Sequence, residues 1–340
     1  MPNNSTKMLF YSTLIGGTVL TLSSNSWMSA WMGLEINMLS FIPIMSNNDN
    51  IYTTEASMKY FLIQALASSI LLFSIMTMNI TKTPQMFSTN LISEIIIMTP
   101  ILLKMGAAPF HWWFPSVMEG LSWTNCLILM TLQKIAPMIL MMNLNKMSTW
   151  LITFILLTIM VGSIGGINQI SMRKLITYSS INHMGWLLST ILINEKAWIM
   201  YFIIYSILTI GLVNMIKSNK ISFINQTFTM NNNSTSKLLM FIILLSLGGL
   251  PPFLGFLPKW IIIQFMIHNE LIIMNAFMII FSLITIYYYL RISYSAFMIN
   301  NIEPNWYKIH YNKSVKINSY MNIMSMTSLM IISLPLSILI

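Results

Sequence analysis

The chain has 340 residues, of which 56% are hydrophobic and 7% are charged, with a mean hydropathy of +0.73 and a formal net charge of +9. This composition excludes a soluble globular domain and a disordered chain, and it indicates an integral membrane protein. The basic residues form no run and are not interleaved with aromatic residues, so we expect no nucleic acid as a partner. The single cysteine, Cys126, excludes an intrachain disulfide and any four-cysteine metal cluster built by this chain alone.

Hydropathy predicts an all-α polytopic membrane protein. A helix needs about 20 apolar residues to cross a bilayer, and the chain is a series of such stretches joined by short polar segments. The predicted spans, eleven in all, lie near residues 8–24, 26–45, 55–79, 91–120, 121–143, 148–169, 174–193, 197–216, 237–267, 271–298 and 319–340.

Basic residues are divided unequally between the two sides of the predicted membrane, and loops rich in Lys and Arg stay on the inner side. The side of the N-terminus holds Lys7, Arg173, Lys174, Lys217, Lys220, Lys237, Arg291, Lys308, Lys313 and Lys316, whereas the other side holds Lys82, Lys146 and Lys196. The N-terminus is therefore predicted inside, which is the matrix for a mitochondrial protein. After eleven spans the C-terminus would lie in the intermembrane space.

Two of the predicted spans are interrupted by glycine and proline. The fourth breaks near residues 105–112 and the ninth near 248–253. Because these spans lie five helices apart, they would cross the membrane in opposite directions, as in inverted-topology repeats whose broken helices frame a transport site. This pattern predicts a first five-helix repeat over 1–145, a second over 146–300, and a loop with a C-terminal helix over 301–340. The alternative is that Gly and Pro only kink ordinary transmembrane helices.

Four charged residues lie inside predicted spans: Glu35, Lys104, Lys134 and Lys259. A charge at the bilayer centre costs about 2.5 to 3.5 kcal/mol on insertion scales, so such groups usually line an ion or proton path. Burial disfavours the charged form of a lysine, which lets a buried lysine gain and lose a proton near neutral pH. Together with His183 in the seventh span, these residues predict a proton relay that runs from Glu35 through Lys104, Lys134 and His183 to Lys259.

Each of these residues also has a purely structural interpretation. Glu35 and Lys104 could form a buried pair that fixes helix packing. The two later lysines have no evident carboxylate partner in the sequence, which favours the functional interpretation. His183, and likewise His111 at the first break, could be a core histidine hydrogen-bonded to a neighbouring helix.

Four sequence blocks carry a resemblance to a known family. They lie at residues 104–115 (KMGAAPFHWWFP), 133–137 (QKIAP), 179–186 (SSINHMGW) and 247–260 (LGGLPPFLGFLPKW). Together they resemble the NADH-ubiquinone oxidoreductase chain 2 family, in its insect mitochondrial form, and the resemblance covers essentially the whole chain. Each block alone is also similar to the wider proton-antiporter family.

The resemblance implies an antiporter-like subunit in the membrane arm of respiratory complex I, in the mitochondrial inner membrane. Proton pumping would be coupled to electron transfer from NADH to ubiquinone in other subunits, which hold the FMN and the iron-sulfur clusters. In that family's pattern Glu35 would be the mobile carboxylate, Lys104 its partner, Lys134 the central relay and Lys259 the gate towards the outer side. Larger members carry three more N-terminal helices, and a chain without them would offer a groove to phospholipid, cardiolipin being one candidate, or to another membrane-arm subunit.

Two other functions are compatible with these residues. A stand-alone cation/proton antiporter would share the broken helices and the buried lysines but would need no redox partner. A structural membrane subunit would use its charges only to lock helices together. We expect no haem, because ligation by two histidines needs both at matched depth, and only His183 lies deep in a span.

Overall fold

The structure is a computed structural model that describes residues 4–47, 50–80, 89–144, 149–228 and 234–294. In these ranges the regular secondary structure is helical, apart from one isolated β-bridge between Ser171 and Phe223. The predicted loop and eleventh span, 301–340, lie outside the described residues. The same is true of five loop lysines used for the orientation, Lys82, Lys146, Lys308, Lys313 and Lys316.

The chain forms two compact units, Met1–Thr158 and Ile159–Ile340. The helices of the first unit begin and end where polar or turn-forming residues interrupt the apolar stretches. Ser26, for example, starts the second helix with a capping box, in which its hydroxyl accepts a hydrogen bond from Ser29 N (3.3 Å). These helices are α1 (Asn4–Leu22), α2 (Trp27–Met45), α3 (Ile51–Ile80), α4 (Thr89–Met105), α5 (Trp113–Gly120), α6 (Trp123–Met130) and α7 (Leu132–Met142).

The next helix along the chain, α8 (Thr149–Gly166), contains the boundary between the two units. A five-residue helix precedes the second broken span and was not predicted. The helices that follow α8 are α9 (Met172–Ile193), α10 (Glu195–Ser218), α11 (Ile224–Phe228), α12 (Ser234–Gly248), α13 (Phe256–His268) and α14 (Ile272–Tyr294).

Six helices in the described ranges are long and apolar enough to cross a membrane: Trp27–Met45, Ile51–Met78, Trp123–Met142, Thr149–Gly166, Lys196–Ser218 and Ile272–Tyr294. The helix α9 is not among them because it carries many serine, threonine and asparagine side chains. Every residue from 179 to 192 on α9 is buried, and α9 packs against α10, α13 and α14. Neighbouring helices therefore surround its polar groups, as expected for a polar helix inside a membrane protein.

Glycine brings two pairs of helices into backbone contact. A Cβ atom at Gly17 on α1 would lie 2.9 Å from Asn37 N on α2. In the second unit, a Cβ atom at Gly162 on α8 would collide with Asn182 N on α9. Each glycine precedes its asparagine by 20 residues. The first helix crossing of each unit is thus built on the same glycine–asparagine contact, as small residues permit in membrane helices.

Both broken spans turn at a glycine with a positive φ angle. The first break occupies residues 106–112 and begins at Gly106 (φ 72°), and the second occupies 249–255 and begins at Gly249 (φ 83°). The fifth predicted span, 121–143, contains a smaller interruption that was not predicted. Its helix stops at Thr131 (φ −115°, ψ −77°) and restarts as α7, which contains Pro137.

Candidate functional site

Glu35 on α2 and Lys104 at the end of α4 are brought together. Lys104 is buried, and the Glu35 charge acts on it electrostatically. Among the described residues the one salt bridge joins Lys59 to Glu55 (2.6 Å), so the predicted pair interacts without a direct ion contact. Glu35 Oε2 is buried and accepts no hydrogen bond from the residues that the structure describes. No hydrogen bond from the described residues therefore fixes this carboxylate oxygen in place.

The first break uses neutral donors to satisfy its freed backbone carbonyls. The indole Nε1 of Trp113 donates to Leu103 O (3.1 Å), and Gln64 Nε2 donates to Lys104 O (3.3 Å). His111 is buried in the break, where its ring stacks on Trp112 (4.8 Å between centroids). The Lys104 ammonium is thus not needed to cap the end of α4.

Lys134 lies on α7 with only 2% of its surface exposed. Its Nζ atom sits 5.2 Å from the ring centroid of Phe114 on α5, within the range of a cation–π contact. An aromatic face at this distance stabilises the charged form of the lysine.

A polar network next to Lys134 was not predicted from the sequence. Gln133 Nε2 on α7 donates to Asn37 Oδ1 on α2 (2.9 Å), and Tyr60 on α3 donates to Gln133 Oε1 (3.4 Å). The sequence did contain a signal, because amide side chains in the middle of apolar helices need partners. Which amides would meet depended on helix packing.

His183 on α9 is hydrogen-bonded to a tyrosine of α10. Its Nδ1 atom lies 2.8 Å from the Tyr201 hydroxyl, and its ring packs against Tyr205 (5.1 Å between centroids). The Tyr205 side chain in turn interacts with Ser180, one turn earlier on α9. The histidine therefore sits in a polar cluster of hydroxyl groups, which sequence inspection did not identify.

Lys259 on α13 holds the broken end of α12. Its Nζ atom donates to Gly248 O (2.8 Å) and makes a longer contact with Leu247 O (3.5 Å). The same atom lies 5.7 Å from the ring centroid of Trp186 on α9. A cation at the carbonyl end of a helix is favoured by the helix dipole. The lysine is thus placed between a helix end and the helix that carries His183.

The structure therefore brings together two parts of the predicted relay. Glu35 and Lys104 interact in the first unit, and Lys259 lies against α9, the helix of His183, in the second. The relay itself stays a prediction, including the steps from Lys104 to Lys134 and from Lys134 to His183. In the described part of the chain, no group of three or more His, Cys, Asp or Glu side chains could hold a metal ion.

Residues 24–285 match the family described as "NADH:quinone oxidoreductase/Mrp antiporter, TM". The protein named NADH-ubiquinone oxidoreductase chain 2 of Anopheles gambiae is 49% identical over 330 residues, which cover 96% of each chain. This chain belongs to the NADH-ubiquinone oxidoreductase chain 2 family. The protein of the same name from Locusta migratoria is 47% identical over 307 residues and 90% of each chain. The family resemblance carried by the four sequence blocks is confirmed.

Two solved structures share the fold. A chain of respiratory complex I from Thermus thermophilus has a TM-score of 0.82 and 21% identity, and covers 96% of this chain and 78% of that one. A chain of the Mrp complex from Dietzia sp. DQ12-45-1b has a TM-score of 0.74 and 18% identity, and covers 88% and 61%. The fold is accordingly that of a polytopic, antiporter-like membrane protein.

Proposed function

We propose that this chain is a membrane-arm subunit of respiratory complex I that translocates protons through Glu35, Lys104, Lys134, His183 and Lys259. The observation that carries the proposal is the burial of three lysines, Lys104, Lys134 and Lys259, none more than 8% exposed. Lysines buried among membrane helices are costly and mark proton pathways in membrane proteins. Membership of the NADH-ubiquinone oxidoreductase chain 2 family supports the assignment of this chain to respiratory complex I.

The energy for pumping comes from outside this chain. Moving one proton against a potential of 100 mV costs about 2.3 kcal/mol. In the proposal, that energy is released as electrons pass from NADH to ubiquinone through FMN and iron-sulfur clusters in other subunits. This chain itself holds no redox cofactor and contributes the proton path alone.

The proposed architecture has eleven transmembrane helices, arranged as two inverted five-helix repeats over 1–145 and 146–300, with a further helix in 301–340. Two features support it. Each unit contains a broken span that turns at a positive-φ glycine, and each begins with a glycine–asparagine helix crossing of the same spacing. Local packing rules repeated at matching places are the expected consequence of an internal repeat.

The proposed location is the mitochondrial inner membrane, with the N-terminus in the matrix and the C-terminus in the intermembrane space. The excess of basic loop residues on one side supports this orientation. The partners would be other membrane-arm subunits and phospholipid, with cardiolipin as one candidate.

Substitution of the first lysine tests this function. Lys104→Met should abolish or severely reduce the number of protons pumped per NADH oxidised in complexes that still assemble, because the relay loses its first lysine. The measurement is protons pumped per NADH oxidised in reconstituted vesicles. Lys59→Met, which removes an exposed lysine of the same unit, is the control and should leave the ratio unchanged. A normal ratio in assembled Lys104→Met complexes would exclude the relay.

A stand-alone cation/proton antiporter is the alternative that the fold shared with the Mrp complex favours. A native gel of mildly solubilised membranes separates the two functions. Migration of this chain with the large band that oxidises NADH supports the proposal, whereas a separate small band without that activity supports the antiporter.

A further inference from the structure

The amide pair of Asn37 and Gln133 links the helix of Glu35 to the helix of Lys134. Gln133 Nε2 donates to Asn37 Oδ1 at 2.9 Å, the shortest hydrogen bond in this network. Asn37 and Tyr60 are each 2% exposed. Asn37 is shielded from water while Gln133 is partly exposed. A buried amide that loses its hydrogen-bond partner is costly, so the Asn37 side of the pair favours keeping this bond.

Asn37 and Glu35 belong to the same helix, α2, and therefore move together when that helix rotates. Residues two apart on an α-helix point about 200° apart, so these two side chains project from nearly opposite faces of α2. On the Asn37 side, α1 packs so closely against α2 that a Cβ atom at Gly17 would lie 2.9 Å from Asn37 N. A rotation of α2 that moves Glu35 relative to Lys104 must therefore also move Asn37.

On α7, the partner amide directly precedes Lys134. A displacement of Asn37 has two outcomes for Gln133: its side chain follows and α7 turns with it, or the hydrogen bond breaks. Both change the surroundings of Lys134, whose Nζ atom lies 5.2 Å from the ring centroid of Phe114. Coupling through this pair therefore requires that the hydrogen bond be carried along or broken when α2 rotates.

We propose that Asn37 and Gln133 are positioning residues that couple the state of Glu35 to Lys134. This inference rests on the proposed proton relay and assigns to the two amides a role in orientation, without any proton passing through them. The second unit gives a useful contrast. Asn182 occupies the matching place beside Gly162, but its Oδ1 atom has no hydrogen-bond partner among the described residues. The amide link therefore belongs to the unit that contains the carboxylate.

A double-mutant cycle in the intact complex tests the inference. Asn37→Leu keeps the branching of the side chain, Gln133→Met keeps its approximate length, and each removes the hydrogen bond. We expect each to lower kcat per assembled complex about fivefold, the lower end of coupling between linked sites, with the KM for NADH and ubiquinone unchanged. The double variant should fall no further than either single variant, because one substitution already removes the link.

The matched control is Asn125→Leu. Asn125 is a buried asparagine of the same unit, and its amide donates to the backbone at Ile44 O (3.0 Å) and to no residue of the relay. It should lower the amount of assembled complex and leave kcat per complex unchanged. An unchanged kcat in Asn37→Leu and Gln133→Met overturns the inference, as does a double variant that falls to the product of the two effects, about 25-fold.

Two further variants complete the test. If the larger changes prevent assembly, Tyr60→Phe removes only the hydroxyl that holds Gln133 Oε1. It should lower kcat about twofold, in keeping with one weak hydrogen bond, and an unchanged kcat overturns the inference. Lys134→Met is measured alongside. A normal kcat in Lys134→Met overturns the relay itself, whereas a loss there combined with normal amide variants overturns only the coupling role.

Discussion

At each of the two helix breaks, backbone carbonyl groups lose their partners within the helix. The two breaks satisfy these carbonyls with different hydrogen-bond donors. In the first unit, neutral side chains cap the carbonyls at the end of α4, namely Trp113 and Gln64. In the second unit, the ammonium group of Lys259 itself caps the end of α12 at Gly248 O. Lys104 therefore interacts electrostatically with Glu35 and does not cap a helix, whereas the Lys259 ammonium is hydrogen-bonded to the end of α12. A break in a helix thus does not by itself determine what the adjacent lysine does.

In the proposed relay, this difference in surroundings gives Lys104 and Lys259 different roles. A lysine that faces a movable carboxylate responds when that charge moves. A lysine bound to backbone carbonyls at 2.8 Å can leave them only if the helix end is satisfied in another way, by water or by a shift of the chain. The first arrangement suits the entry of a switching signal, and the second suits a gate that opens when its hydrogen bonds exchange.

The largest effect in this comparison is expected from Lys259→Met. The substitution removes the protonatable group and leaves the carbonyls of residues 247 and 248 without their charged donor, at a cost of about 1.5 to 3 kcal/mol. We expect at least a tenfold loss of NADH-driven proton pumping, measured by a pH-sensitive dye in vesicles, together with less assembled complex.

Lys259→Arg separates the two roles of this residue. Arginine keeps the charge and the donors but does not release its proton under physiological conditions. Assembly should therefore recover to near the parent amount while pumping stays low. If both assembly and pumping recovered in Lys259→Arg, the lysine would serve only to hold the end of α12. The structural interpretation of the buried charge would then be correct for the second unit.

A smaller effect is expected from the glycines at the two breaks. Gly106→Ala and Gly249→Ala share the cost of a side chain at positive φ, about 1 kcal/mol. Their contacts differ, because a Cβ atom at 249 would meet Lys259 Cδ at 2.9 Å, whereas one at 106 would meet Phe114 Cβ at 3.1 Å.

Both glycine variants should lower the amount of complex on a native gel to a similar degree. Only Gly249→Ala should also lower kcat per complex, by about threefold, because the added Cβ atom displaces the Lys259 side chain. A threefold change corresponds to a free-energy cost of less than about 1 kcal/mol. Equal losses of kcat in the two variants would contradict the difference drawn between the two lysines.

The smallest effect is expected from Tyr201→Phe. It removes the hydroxyl that lies 2.8 Å from His183 Nδ1 and keeps the aromatic ring. The loss of one hydrogen bond costs about 0.5 kcal/mol at the lower end of the usual range, so kcat should fall about twofold with normal assembly. Tyr287→Phe, at an exposed tyrosine of the same unit, is the control for the assay. A Tyr201→Phe complex as active as this control would remove His183 from the relay.

Several features could be predicted from the sequence because they follow from local chemistry. Apolar runs long enough for a membrane, and glycine and proline at the interruptions, depend on only a few adjacent residues. Charged side chains in apolar stretches stand out for the same reason, which is why the buried lysines were identified. The four sequence blocks identified the family because their residues combine these rare features at fixed positions.

Other features could not be predicted because they depend on which helices meet. The hydrogen bond from Gln133 to Asn37 joins residues 96 positions apart in the chain. Capping of α12 by Lys259, and the Tyr201 partner of His183, depend in the same way on packing between helices. The interruption at Thr131 also had no strong local signal, since the proline of that helix lies six residues later.

By itself, the sequence determined the membrane class, the order of the helices, the two points of interruption and the residues that carry charge into the interior. These properties are set by composition and by the backbone preferences of single residues. Only the tertiary structure decided which lysine faces a carboxylate, which one binds a helix end, and which amides connect the helices between them. Those assignments depend on which side chains from distant helices reach the same buried hydrogen-bonding group. Because the partners lie far apart in the sequence, no single stretch of it shows which of them will meet.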